Sequence, residues 1–189
     1  MATQQNDTAG KQGGILEGDL LRLRALEPED VDVLYRWEND TAVWKVSNTV
    51  APFSKHVLRQ FIENQRHSIY ETGQLRLIIE QRAEARPIGA IDLFDIDPYN
   101  RRAGVGILVY EDRDKGKGYA SAALAMLIRY CFEVLLLNQV YCNIPANNGA
   151  SLALFKGRGF TTVGIKKEWI KTTADWQDEI MLQLINPIK

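Results

Sequence analysis

Leu21 and Leu23 alternate with Arg22 and Arg24 in "LLRLRAL", and Ala25 continues the alternation, which predicts a half-buried strand. Glu27 and Pro28 then turn the chain into "EDVDVLYRWEND", where Val31, Leu34 and Tyr35 repeat at helical spacing. Beyond Pro52, Ser54 is an N-cap candidate for a second helix whose apolar face carries Val57, Leu58, Phe61 and Ile62. "QLRLIIE", "RPIGAIDLFDID" and "RRAGVGILVYED" read as three strands, joined by the polar stretches "QRAEA" and "DPYN" and so arranged antiparallel. After Gly118 the apolar positions Ala120, Ala123, Leu124, Leu127, Ile128 and Cys131 return to helical spacing. "QVYCNIP" is a further strand. "NNGASLALFKGRGF" is a short helix with Leu152 and Phe155 inward and Gly159 past its end. "TVGIKKEWI" and "DEIMLQLI" close the chain as an antiparallel pair, either internal to the sheet or available as a dimer interface. The pattern predicts a mixed α/β (α+β) domain of about seven strands and about four helices.

Composition narrows the class. The chain has 189 residues, 46% hydrophobic and 25% charged, enough for one domain with a full core. Residues 1–17 are polar and nearly free of large apolar groups, so a disordered tail is expected there, followed by a single domain over 18–189. A formal charge of −1 argues against nucleic acid and anionic membranes as partners. Two cysteines, Cys131 and Cys142, fall in apolar runs and suggest neither a disulfide framework nor a zinc site. His56 and His67 read as surface residues, and no metal is expected. With no membrane-length apolar stretch and no signal-peptide pattern, the expected location is the cytoplasm.

The junction "DRDKGKGYASAALAMLIRY" puts two glycines and two lysines directly before a helix. Glycine lets backbone approach a ligand, and the first amides of a helix lack intrahelical acceptors, so the junction suits an anion. A Walker loop is excluded, because Glu111 stands where its first glycine belongs and Gly118 follows Lys117. A dinucleotide fingerprint also fails, since no acidic residue closes the following strand. Taken alone, "KGKG" serves equally as a simple turn.

In context the pattern is more specific. A strand, "KGKGYA", a helix, a strand, then "NNGAS" and a helix ending in "RGF" resemble the GNAT superfamily of acetyl-CoA-dependent N-acetyltransferases over roughly residues 19–186. Lys115, Gly118 and Ala120 occupy the family's Q/R-x-x-G-x-G/A positions, while Asn148 stands twelve residues before Phe160, with Ser151 completing N-x-x-S. "GAIDLFDIDPYNRRAG" and the second motif together look most like the spermidine (polyamine) and ribosomal-protein N-terminal acetyltransferases. The resemblance implies a mostly antiparallel sheet splayed at its two central strands, with acetyl-CoA as cosubstrate. It further implies that the amides of Gly116, Lys117, Gly118, Tyr119 and Ala120 hold the pyrophosphate with added charge from Lys115 and Lys117. The pantetheine arm would lie along Ile107, Leu108 and Val109, held from the other side by Asn148. An N–H near Leu108 or Val109 would receive the oxyanion.

Two family positions differ here. Phe155 stands where many members carry the tyrosine that protonates the leaving thiolate, and Gly104 replaces a glutamate found on the strand before the loop. Ser151 is then the candidate acid, or else a helix-start residue bonding local backbone. Glu168 matches a glutamate of the polyamine enzymes and is the preferred base. Asp92, Asp95, Glu168 and Trp169 are the candidate acceptor contacts, with a solvated strand face as the alternative for the carboxylates, above all Asp95 and Asp97, and simple packing as the alternative for the tryptophan. Three functions follow: acetylation of a small polyamine such as spermidine, acetylation of a protein N-terminus, or acetyl-CoA binding with little catalysis. A homo-oligomer, a dimer or larger, fits many relatives.

Overall fold

The alternation seen in sequence sorts the side chains of one sheet onto two faces. The structure, a computed structural model, describes residues 14–47 and 49–187. In chain order the elements are β1 (Leu21–Arg24), α1 (Val31–Glu38), α2 (Thr41–Ser47), α3 (Lys55–Asn64), α4 (Ile69–Thr72), β2 (Leu75–Gln81), β3 (Arg86–Asp97) and β4 (Arg102–Val109). After them come α5 (Tyr119–Arg129), β5 (Gln139–Pro145), α6 (Gly149–Lys156), β6 (Thr161–Lys171) and β7 (Trp176–Ile185). The strands form one seven-stranded sheet ordered β1-β2-β3-β4-β5-β7-β6. All neighbours run antiparallel except β4 and β5.

On one face Leu77, Ile79, Ile91, Leu93, Val140 and Cys142 pack with Ala123, Leu124 and Leu127 of α5 and Phe155 of α6. Burying an Ile or Leu side chain contributes roughly 1.5–3 kcal/mol, so this face carries most of the apolar stabilisation. On the other face Ile78 and Ala90 meet Leu34 and Trp37 of α1 and Leu58 and Ile62 of α3. Every described residue lining the concavity over β5, β7 and β6 on this second face belongs to a strand, so no helix among the described residues roofs it.

The described residues hold six α-helices, where the sequence pattern gave about four. The additions are α2 and the single-turn α4. Ser68 caps α4, with Glu71 returning a bond to its backbone, and Gly73 at φ 68° ends it. Such a turn is held by its caps, so no apolar period announces it. Helix α3 starts as expected, Val57 N–H donating to Ser54 Oγ at 3.2 Å. The "IMLQLI" segment lies in β7, paired on both sides by β5 and β6, which makes it internal to the sheet. Of the expected tail, residues 1–13 lie outside the described residues. Leu16 accepts from Leu23 N–H at 2.8 Å, and Glu17 bridges to Arg22.

Candidate active site

Between β4 and α5 the chain makes a 3-10 turn, Asp112–Asp114, followed by the lysine–glycine loop. Asp114 is buried at 2% exposure and accepts both arms of Arg86, at 2.8 and 2.9 Å, which ties the loop to the start of β3. Those charge-assisted bonds hold the Asp114 carboxyl below the usual carboxylate range. Gly116 and Gly118 have φ of 73° and 84°, a backbone that side-chain-bearing residues rarely adopt, and a Cβ on either would project into open space. The first amide to bond back into α5 is Ala122, donating to Gly118 O at 2.9 Å. The N–H groups of Tyr119, Ala120 and Ser121 therefore lack helical acceptors beneath that open space. Lys117 is exposed, and Lys115, also exposed, pairs with the still more exposed Asp112 at 2.7 Å, a contact weak enough to be exchanged for phosphate.

A gap in the sheet runs up to this loop. The β4–β5 ladder has only three pairs, Arg102 with Gln139, Ala103 with Val140 and Gly104 with Tyr141, and past them the strands part. Tyr110 N–H donates to Ile88 O, while Arg101 O accepts from Asn138 and Gln139. Because strand amides alternate, Leu108 points toward β3, and Ile107 and Val109 turn their N–H and C=O groups into the gap. The open edge of the gap is thus formed by Ile107 and Val109, while the Leu108 amide is turned to β3. Gly89 is needed here: a Cβ there would stand 1.9 Å from the Leu108 carbonyl oxygen.

Across the gap, Asn148 caps α6, its Oδ1 accepting from Ser151 N–H at 3.1 Å. That leaves the Asn148 amide NH2 to donate outward. Capping of this end falls to Asn148, so the half-buried Ser151 hydroxyl is not needed for it and makes no hydrogen bond to any described residue. Phe155 is 3% exposed and stacks edge-on with Phe160, with ring centroids 5.0 Å apart, and offers no proton. At Gly104 a Cβ would sit 2.2 Å from the Phe94 ring, which itself packs against Tyr141. The aromatic ring fills the space a glutamate would need.

The candidate acceptor residues are not gathered at one point. Asp92 is held by Arg76 at 2.7 and 3.1 Å, and Arg76 also bonds Glu38 and lies over the Phe61 ring, so Asp92 is neutralised. Asp95 sits on a β3 bulge at φ 48°, exposed, accepting from the Tyr141 hydroxyl at 3.3 Å. Glu168, also at φ 48°, sits on a bulge of β6, its N–H donating to Asp178 at 3.0 Å and its side chain exposed. Two strands, β5 and β7, separate β6 from β4, which puts Glu168 roughly 14 Å from the gap edge at ~4.8 Å per strand. Trp169 is 60% exposed beside it, under the Lys166 ammonium at 5.0 Å.

Sequence reasoning missed Arg86, Asp114 and Arg158. Arg158 donates to Ser121 Oγ at 3.0 and 2.6 Å, placing a guanidinium beside the first turn of α5. Only the Asp112–Asp114 turn before the glycines hinted at Asp114, and nothing local signals a partner 28 residues away. Among the described residues no group of three His, Cys, Asp or Glu side chains is placed to hold a metal ion, and no helix is long and apolar enough to cross a membrane.

A glycine cradle over free helix amides, continuous with an opened strand edge, fits a ligand that joins a diphosphate to a peptide-like arm. Residues 21–161 match the model of the acetyltransferase (GNAT) domain, and the chain belongs to that family of acetyl-CoA-dependent acyltransferases. It is 30% identical over 168 residues to the uncharacterized N-acetyltransferase p20 of Bacillus licheniformis, covering 87% of this chain and 92% of that one. The prophage-derived uncharacterized N-acetyltransferase YokL of Bacillus subtilis is 28% identical over 163 residues, with 86% and 88% covered. Among solved structures, spermidine N-acetyltransferase from Vibrio cholerae, in complex with CoA and spermine, superposes with a TM-score of 0.79 at 23% identity. That match covers 88% of this chain and 95% of the other and establishes the shared fold.

Proposed function

We propose that the chain transfers the acetyl group of acetyl-CoA to the primary amine of a small polyamine such as spermidine. The observation that carries the transfer is the continuity of the cradle with the gap: residues 116–120 lead directly onto the unpaired edge of Ile107 and Val109, with Asn148 opposite. Support for a polyamine is the likeness to a protein that binds spermine, together with two carboxylates, Asp95 and Glu168, that have no cationic partner among the described residues.

Bound acetyl-CoA supplies the activated thioester. The amides of the loop and α5 orient the diphosphate, and Asn148 orients the arm. An alkyl amine with a pKa near ~10.4 arrives protonated, so a carboxylate must first take a proton, directly or through water. Glu168, two strands beyond the gap, is too far away to be that base and contributes an exposed negative charge that draws the cation in. A gap-facing N–H, Val109 or Ile107, stabilises the oxyanion, an effect worth roughly 3–4 kcal/mol in comparable sites. The Ser151 hydroxyl is the group proposed to pass a proton to the departing sulfur while taking up, through water, the proton that the amine releases.

A second acceptor, a protein N-terminus, draws on the N-x-x-S arrangement of Asn148 and Ser151 and on Phe155 in place of a tyrosine. Thiol release from acetyl-CoA, followed with spermidine and with a short unblocked peptide, separates the two. Turnover with spermidine is expected. Turnover with peptide alone would move the assignment to the second acceptor, and CoA binding without any turnover would reduce the chain to a binding module.

A further inference from the structure

Resting on that amine-transfer reading, we propose that the concavity over β5, β7 and β6 is the acceptor seat, in which Asp95, positioned by the Tyr141 hydroxyl, holds the reacting ammonium. The concavity measures about 700 Å³ and is lined by Asp95, Tyr141, Asn143, Val163, Lys166 and Met181 among others. That is ample for a small amine.

Its place in the sheet ties it to the chemistry. Tyr141 is the partner of Gly104, the last pair of the β4–β5 ladder, so the concavity begins where the gap ends. From Val109 down to Gly104 is five residues, about 16 Å of strand. The pantetheine arm, with the chain length of about four residues, spans most of that distance and brings its sulfur toward the inner end. Gly104 contributes no side chain there, and the Phe94 ring against Tyr141 forms an apolar wall.

The charges lining the seat leave one site for a cation. Asp97 is paired with Arg102 at 3.2 Å, and Lys166 with Glu179 at 2.8 Å and Asn143 at 3.0 Å. Asp95 has no cationic partner among the described residues. The bulge between Phe94 and Asp97 turns its carboxylate outward, and its one hydrogen bond among the described residues is from Tyr141. Burial and the facing Asp95 charge both push the Tyr141 hydroxyl upward in pKa, so it stays a proton donor that fixes the carboxylate. The seat therefore takes one ammonium, with the Asn143 NH2 and the outer groups of the mutually bonded Gln139 and Gln183 left to bond the rest of the acceptor.

The test uses the whole protein and spermidine, with CoA affinity by calorimetry as the control. Asp95→Asn should raise the amine KM roughly tenfold or more, as loss of a charge-assisted contact does, and leave CoA affinity unchanged. Tyr141→Phe, which keeps the ring against Phe94, should raise KM less and add nothing to Asp95→Asn, the mark of a residue acting through the carboxylate. Val163→Trp, at an exposed rim position, fills the seat without touching the core and should also raise KM. The seat is overturned if Asp95→Asn or Val163→Trp leaves KM within about twofold, or if CoA affinity falls in parallel. Glu168→Gln raising KM more than Asp95→Asn would move the seat to the β6 bulge. A wild-type protein that binds CoA yet acetylates no amine would instead defeat the amine-transfer reading, and the seat with it.

Discussion

Gly104 and Phe94 show how one residue decides what another position can hold. Introducing glutamate at Gly104 would drive its side chain into the Phe94 ring, at an overpacking cost of about 1–3 kcal/mol. Thermal melts of Gly104→Glu should show that loss, and adding Phe94→Ala should recover part of it. No recovery in the double variant would mean that the ring is not what excludes the carboxylate. At Ser151, removal of the hydroxyl with Ser151→Ala should lower kcat and leave CoA affinity unchanged, because the cap depends on Asn148 Oδ1 and the Ser151 backbone N–H, both retained. An unchanged kcat would remove Ser151 from the chemistry. Gly118→Val places a β-branched side chain at φ 84° over the free amides and should weaken CoA binding by tenfold or more with the fold intact by circular dichroism. Unchanged affinity would contradict the cradle.

At the scale of elements, the glycine loop works because something rigid holds it. Arg86 on β3 grips Asp114 at the loop's root, and the pair is buried on the Asp114 side. Breaking it with Arg86→Met leaves a buried carboxylate unpaired, costing roughly 3 kcal/mol or more. CoA binding should suffer with stability, whereas the paired change Arg86→Met with Asp114→Leu should restore stability ahead of binding. This anchor was not legible in the sequence, since its two halves lie on different elements and neither belongs to a periodic pattern. What was legible followed from period and spacing: all seven strands, the strand–loop–helix junction, and the placing of Asn148 at a helix start. Helix α4, held by its capping box, and the pairing of Asp92 with Arg76 emerge only in three dimensions. The first has no apolar face to detect, and the second depends on which strands are neighbours. Alternation did not by itself say which amides face the gap. The register with β3 did, turning the Leu108 amide to β3 and those of Ile107 and Val109 to the gap.

Across the whole molecule, paired carboxylates set the acid limit. Asp30 is pushed up by burial but carried below its ordinary value by Arg24, Glu80 is likewise buried yet lowered by Arg24 and Arg22, and Asp114 is lowered chiefly by Arg86. A carboxylate whose folded pKa is depressed gives stability that is complete above its unfolded pKa, about 4 here, and is lost as pH falls through the folded value. Urea midpoints should therefore stay flat on this account from neutrality down to about pH 5 and fall steeply below about pH 4. A midpoint that rises on acidification would contradict the sign. The thiols give an independent check on the core. Burial pushes Cys131 and Cys142 up to about 12, so neither should react with a thiol reagent in the native protein at neutral pH, and both should react in urea. Rapid native labelling of either would place it outside the core.

A crystal structure of the protein with CoA addresses the account most directly. The diphosphate is predicted to lie on the main-chain N–H groups of residues 116–120 and the arm along the gap edge of Ile107 and Val109. Density placing the diphosphate away from those amides, or the arm outside the β4–β5 gap, would contradict it.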